Sequence, residues 1–363
     1  MRIGFEPRTE PSVTAPFLVS GLAIVLTLAA GSILFLVYEK SPIDGLHAFF
    51  IEPLLSVYGI GEVLLKMGPL LLIAQGLAIG FRARVWNIGA EGQLIVGAIA
   101  GAVLAIQFDG STSPLLLPAM VLAGAIAGMA WAGIAAFLKT RFNANEILVT
   151  FMLSSIALQL LYYLVTGPLK DPAGFNFPQS ITFGVSATFG LLIEGTRANS
   201  SFILAIGASV LAWLFIERSL PGYKLVVGGL APPAATYAGF SASRSVWIAL
   251  LIGGAAAGIA GVGEVAGPLG MLQRNISPGY GFAAIIVAFL GGLHPIGIVF
   301  SSALMALIYV GGDFARLSVG LPNAVTMIFQ GMLLTFYLAS AVLLTSRLRI
   351  DWGERRTSTV AET

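Results

Sequence analysis

Leu115-Leu-Leu-Pro-Ala-Met-Val-Leu-Ala-Gly-Ala-Ile-Ala-Gly-Met-Ala-Trp-Ala-Gly-Ile-Ala-Ala-Phe-Leu138, followed at once by Lys139-Thr-Arg141, decides the fold class. No Asp, Glu, Lys or Arg interrupts the run, and it is long enough as a helix to cross the roughly 20 residues' worth of hydrocarbon in a bilayer. The charges wait in the gap that follows. The same alternation of apolar run and charged gap repeats along the chain, at Ala15–Tyr38, Ile60–Phe81, Gly89–Phe108, Glu146–Thr166, Ser200–Ile216, Ser245–Ala266, Tyr280–Gly292, Pro295–Gly311 and Ala324–Leu344. The expectation is an all-α, polytopic bundle of about ten spans, with the short eighth one leaving the count open by about one on length.

Composition agrees. Hydrophobic residues make up 57% of the 363 and charged residues 10%, against about 25% charged in soluble domains. The mean hydropathy is +0.92. So few charges cannot cover a water-facing surface of this size. Small-xxx-small patterns at Gly124–Gly128 and Gly254–Gly258 are the kind that lets membrane helices approach closely.

The gaps also give orientation. With the N-terminus inside, Arg2, Arg8, Arg82, Arg84, Lys139, Arg141, Arg218, Lys224, Arg244, Arg347, Arg349, Arg355 and Arg356 are cytoplasmic, and Lys40, Lys170, Arg197, Arg274 and Arg316 lie outside. An even number of spans returns the C-terminus to the cytoplasm. The first span is longer than a signal-peptide core and reads as a retained anchor. The chain thus divides into a cytoplasmic tail (1–14), a transmembrane body (15–345) and a basic cytoplasmic tail (346–363). Two loops are long: 167–199 outside and 217–244 inside. Within the outer loop the apolar stretch Ile181–Ile193 is expected on the membrane surface. Within the inner loop, Pro232 and Pro233 suit the first turn of a short helix and Gly239 its end, which offers a docking element or a plain connector.

The sequence excludes much chemistry. There are no cysteines, so neither disulfides nor thiolate metal sites arise. The two histidines, His47 and His294, have no second ligand at metal spacing; His47 reads as solvated surface and His294 as a turn residue. No nucleophile elbow and no phosphate-binding P-loop occurs, so any ATP dependence must reside in another subunit. The net charge of +2 reflects topology, and no basic patch interleaves with aromatics to bind nucleic acid. No cofactor is implied, and the chain reads as a non-enzyme.

Ionisable and polar residues at or in spans are the functional candidates, because lipid makes them costly. Asn87 and Glu91 form one set, with Asn87 as a helix N-cap and Glu91 in the first turn as the plainer alternative. Asn145 and Glu146 have the same form. Glu264, in a Gly-rich segment near the outer end of its span, either lines a pathway or makes a buried polar contact. Pro268, Gly270, Pro278, Gly279 and Gly281 mark broken backbone, tolerated at membrane depth where it lines a cavity. Phe175, Phe177, Tyr280 and Phe282 are aromatic candidates for stacking on a solute or for anchoring helices.

Several segments, in order, resemble one family. Arg82-Ala-Arg-Val-Trp-Asn-Ile-Gly-Ala-Glu-Gly-Gln93 is similar to the F-N-I-G-A-E-G-Q segment of permease subunits of bacterial ABC importers of the ribose/branched-chain type, and most closely to the branch serving nucleosides and simple sugars. Asn145-Glu-Ile-Leu-Val-Thr-Phe-Met-Leu153 resembles its N-E-V-I-x-T-x-M-L, and Thr166-Gly-Pro-Leu-Lys-Asp-Pro172 its x-G-P-L-K-D-P. Ser277-Pro-Gly-Tyr-Gly-Phe282 and Val287-Ala-Phe-Leu-Gly291 look like two further signatures. The matches run from Ala78 to about Gly311.

The resemblance implies a permease of a bacterial cytoplasmic (inner) membrane. It would form a pathway with a second permease, commonly a paralogue, and receive nucleosides or simple sugars from a periplasmic or lipid-anchored binding protein. Cytoplasmic ATPases would dock on it. It also implies a coupling helix near Ala231–Phe240, with Pro232, Ala234, Ala235, Tyr237, Ala238 and Gly239 as contact residues. There the chain departs from the family's N-P-x-A-A-R-Y-A-G: Ala231 and Thr236 replace its Asn and Arg. The competing expectation, a self-sufficient secondary transporter, wants acidic residues deep in several spans, and Glu264 is the fair candidate for that.

Overall fold

The structure is a computed structural model, and it describes residues 2–7 and 15–351. Thirteen α-helices account for most of them: α1 (Ala15–Val37), α2 (Pro42–Phe50), α3 (Val57–Arg82), α4 (Ala90–Gln107), α5 (Leu116–Phe142), α6 (Glu146–Thr166), α7 (Ser201–Arg218), α8 (Leu220–Leu230), α9 (Pro232–Tyr237), α10 (Ala242–Glu264), α11 (Tyr280–Leu290), α12 (Pro295–Ser318) and α13 (Ala324–Thr345). Among the described residues nine are long and apolar enough to span: α1, α3, α4, α5, α6, α7, α10 with its π-helical extension to Leu269, α12 and α13. The tenth expected span is α11. At 11 residues it is about 16 Å long, half the hydrocarbon core, so it reaches depth only together with the broken backbone before it.

Glycine spacing sets the centre. α3 is the most enclosed helix, with 89% of its span window buried. Helices α7, α10, α11 and α12 surround it, and on the far side of α10 the helices α4, α5 and α10 pack backbone to backbone. A Cβ on Gly128 would lie 3.0 Å from the Gly254 carbonyl carbon, and one on Gly258 would lie 3.2 Å from the Gly128 Cα. Gly97 faces Gly258, and Gly261 faces Leu94, in the same way. The two small-xxx-small patterns of the sequence are therefore partners of each other, a direct backbone contact between α5 and α10.

The periphery is held by larger side chains. Phe35 of α1, Phe49 of α2 and Phe329 of α13 form one aromatic cluster, with ring centroids 5.6 Å (Phe35–Phe329) and 4.7 Å (Phe49–Phe329) apart. Helix α2 lies within what the sequence presents as an outer gap; Ser41 caps it and Pro42 opens its first turn. His47 is exposed in its last turn. Strand β1 (Arg2–Pro7) pairs antiparallel with β2 (Ser346–Asp351), which places the two chain ends together at one end of the bundle. Most of the expected N-terminal tail, and residues 352–363 of the C-terminal one, lie outside the described residues.

The apolar stretch of the outer loop is strapped to the protein. Ser180 and Phe183 donate to the carbonyls of Leu272 and Gly270 (2.8 and 2.7 Å), Phe189 to that of Ala266 (2.8 Å), and Gln179 bridges Gln273. The reason is that residues 270–279 are non-helical and their backbone groups need partners.

The glycine contact makes a stability prediction. Gly128→Leu forces a side chain into the α10 backbone and should destabilise the fold by about 1–3 kcal/mol, whereas Gly207→Ala, with no atom within 4 Å of its Cβ position, should be neutral. Thermal unfolding of the two variants in detergent separates them.

Candidate functional site

The site is built where two helices begin. α4 starts at Ala90 without a side-chain cap. Its first N–H groups need other partners, and α6 supplies one: Ser154 Oγ accepts from Gly92 (3.2 Å), while Thr150 Oγ accepts from Ile88 (3.1 Å) in the turn just before the helix. Asn87 is not the N-cap that its position in the sequence suggests; that place is taken by Gly89. Asn87 instead exchanges hydrogen bonds with the Gln93 amide (2.9 and 3.1 Å) and accepts from Gly89 (3.0 Å). This buried clasp shapes the turn leading into α4.

Glu91 points from that first turn to the start of α11. Its carboxylate accepts the Gly281 N–H at 2.7 Å and a hydrogen bond from Ser277. Ser277 Oγ in turn accepts from Gly279 and Tyr280 (3.1 and 2.9 Å). One carboxylate therefore sits between the positive ends of two helices, where helix dipoles favour negative charge. Gly281 is required here, since a Cβ would lie 2.6 Å from the Glu91 Cα.

Beside Glu91 opens a cavity of about 420 Å³ between α4, α6, α11 and residues 274–277. Glu91, Phe151, Ser154, Tyr162, Arg274 and Phe282 are among its walls. The rings of Phe151 and Phe282 lie 6.4 Å apart. The Arg274 guanidinium lies 4.3 Å from the centre of the Tyr162 ring. Carboxylate, hydroxyls, guanidinium and aromatic faces together suit a polar solute with some flat surface.

The sequence candidates divide. Glu91 and Phe282 line the cavity. Asn145 and Glu146 do not: Asn145 caps α6 (2.9 Å to Ile147 N), and Glu146 pairs with Lys139 (2.9 Å) at the end of α5. Glu264 and Tyr280 belong to a buried polar group behind the cavity. Glu264 shares its electrostatic surroundings with Lys66 and Arg197, and Lys66 Nζ stands 5.5 Å over the Tyr280 ring. Glu264 is buried and is not among the residues that line this cavity. Phe175 is 94% exposed on the outer loop.

Sequence reading passed over Glu62, Lys66, Tyr162 and Arg274. Glu62 and Lys66 sit in an apolar run, and their four-residue spacing on one face of α3 was the available signal. Glu62 holds Arg197 of the outer loop through two bonds, Nε to Oε1 at 2.8 Å and Nη2 to Oε2 at 2.5 Å, and that paired carboxylate raises the pKa of the guanidinium. Tyr162 and Arg274 are 112 residues apart in sequence, so no local pattern joins them.

At the opposite end, the inner loop forms α8 and α9. Pro232 and Pro233 open α9 and Gly239, at φ +77°, closes it. Gly239 donates to Thr236 (3.0 Å) and Phe240 to Ala235 (2.9 Å), a Schellman termination. Ala235 is buried inward, while Pro232, Ala234, Ala238 and Gly239 are exposed and Tyr237 is 97% exposed. His294 caps α12 by accepting from Ile296.

Residues 59–338 match the family described as the permease component of branched-chain amino acid transport systems. The chain is 32% identical to the glucose ABC transporter permease protein of Haloferax volcanii, over 96% of this chain and 95% of that protein. It is 31% identical to the guanosine ABC transporter permease protein of Bacillus subtilis, over 89% and 93%. It is 29% identical to the nucleoside ABC transporter permease protein of Lactococcus lactis subsp. cremoris, over 89% and 91%.

Removing the Glu91 carboxylate should loosen the start of α11. Glu91→Ala leaves the Gly281 N–H without its charged acceptor, a loss of about 1.5–3 kcal/mol. Amide hydrogen exchange across residues 277–284 should quicken at least about tenfold, and Glu91→Gln should restore most of the protection.

Proposed function

The chain belongs to the permease-component family of branched-chain amino acid transport systems, and from that premise we propose that it is the membrane-spanning subunit of an ABC importer that passes nucleosides or related simple sugars. The observation that carries this reading is the presence, in one chain, of a cavity at helix breaks, with a few polar groups set in apolar walls, and a capped, exposed helix at the basic end. The three relatives named above carry glucose, guanosine or nucleosides in their names, and all of these are hydroxylated, uncharged solutes. The cavity's mixture of aromatic faces and hydrogen-bonding groups suits them.

In this reading the basic end is cytoplasmic, in a bacterial inner membrane. α9 is the coupling helix for a separate ATPase, contacted through Tyr237 and the exposed faces of Pro232, Ala234, Ala238 and Gly239. A second permease chain, a paralogue of this one, closes the open side of the cavity against α6. An extracytoplasmic binding protein delivers solute at the outer loop.

A continuous line of contacts supports coupling between the two ends. α8 seats Gly229 against the backbone of Ala83, where a Cβ would stand 3.1 Å from Ala83 Cα. Arg82 next to it donates Nε to the Leu293 carbonyl (2.9 Å) and lies 3.8 Å from Glu217 at the end of α7. Leu293 is in the turn after α11, and the far end of α11 is hooked to Glu91 at the cavity. Movement of α9 is thereby passed to α11 as a short rigid lever.

The test is a double substitution at the exposed tip. Tyr237→Glu with Gly239→Lys puts charge on the docking face and a side chain at a φ that disfavours one. Uptake and solute-stimulated ATP hydrolysis should fall to background while the protein still inserts and reaches its normal abundance. Uptake at the unmodified rate would remove α9 as the coupling element.

A further inference from the structure

A second cavity adjoins the first on the outer side. It measures about 230 Å³ and is lined by Phe177, Pro178, Gln179, Gln273, Arg274 and Asn275. Arg274 and Asn275 also line the 420 Å³ cavity, so they stand at the junction of the two. The outer cavity leads to the loop that faces out of the membrane; the inner one ends at Glu91.

Arg274 is held at this junction in a particular way. Its backbone neighbours are pinned: Ser180 donates to the Leu272 carbonyl (2.8 Å), Leu272 donates to Ser180 Oγ (2.9 Å), and Gln273 bridges Gln179. Its side chain is not pinned by charge. No salt bridge engages it among the described residues, and its guanidinium rests on the Tyr162 ring at 4.3 Å. A cation–π contact at a partly exposed site biases a population only about two- to fivefold. A firm backbone carrying a lightly latched side chain is the arrangement of a movable gate post.

The guanidinium also has a chemical preference. It offers five N–H donors and no acceptor, and it is always charged. Oxygen-rich neutral solutes satisfy those donors, anions are attracted, and cations are repelled. We propose that Arg274 is the outer gate and charge-selecting residue of the solute path, latched against Tyr162 and released when solute oxygens take its donors. This rests on the reading of the two cavities as that path.

The chain contains no cysteine, which makes thiol accessibility a clean test. Ser155 lines the inner cavity and is exposed on α6 in the single chain, the face that the second permease covers in the assembled transporter. The S155C variant, in vesicles holding the assembled transporter, is labelled from outside with a cationic and with an anionic methanethiosulfonate of similar size. Each rate is taken relative to the same reagent's rate with a free thiol, since thiolates react faster with the cationic reagent in solution, and on that scale the proposal expects the anionic reagent to react faster. Added to S155C, Tyr162→Leu should speed both reagents about two- to fivefold, the bias of one cation–π contact. Arg274→Gln should speed the cationic reagent most and abolish the charge preference, and Arg274→Lys should keep the preference. Equal rates on that scale for both reagents in the parent, or rates unmoved by Arg274→Gln and Tyr162→Leu, overturn the gate. Protection by guanosine or glucose separates the two readings: if neither slows labelling of the S155C parent, the path reading itself fails, whatever the gate variants do.

Discussion

The direct backbone contact between α5 and α10 is the constraint on which the rest depends. In lipid there is no hydrophobic force to drive one apolar helix onto another, so association relies on close packing and polar contacts. Gly124, Gly128, Gly254 and Gly258 provide it by leaving no side chain between the helices. The same close packing seats α4 against both helices through further glycine meetings, Gly97 on Gly258 and Gly261 on Leu94. The start of α4 is then carried to α6, where Thr150 and Ser154 accept from the N–H groups of Ile88 and Gly92. The position of Glu91 is a consequence of this packing rather than of anything local to its own segment.

Charges inside the bundle follow a second rule, that each is costly in lipid and must be matched. Glu62 is matched by Arg197, Lys66 stands over Tyr280 beside Glu264, and Glu91 takes two helix starts. The first two groups lie behind the cavity and bind the outer loop and the broken segment to α3. Glu91 does both tasks, bracing α11 and facing the cavity. Glu62 and Glu91 are therefore engaged in holding elements together, which accords with a permease subunit rather than a carrier with several free intramembrane carboxylates.

Irregular backbone is the third element. α11 is too short to span, and the π-helical turn Val265–Leu269 and residues 270–279 complete its reach. That segment has hydrogen-bond partners on both sides, the outer loop at 180–189 and Glu91 within. It carries Arg274, Asn275 and Ser277 into the cavity wall, as non-helical membrane backbone does where it is buried in protein or lines a cavity.

The sequence alone determined the order of the long apolar helices, the break before α11 and the capped helix from Pro232 to Gly239, but not the short helices α2 and α8 or that α11 falls short of a span. Each is written locally, in runs of apolar residues, in the sign of the gaps and in proline and glycine at fixed places, and local signals survive without tertiary context. Two of the residues it offered as pathway candidates, Glu91 and Phe282, line the cavity. Only the tertiary structure decided that Asn145 and Glu146 serve α6 and Lys139, that Asn87 clasps Gln93, and that Tyr162 meets Arg274. Those outcomes depend on which helix faces share a side of the bundle. Helix rotation in a membrane is set by packing, and here that packing joins glycines on α5 and α10 that lie more than a hundred residues apart.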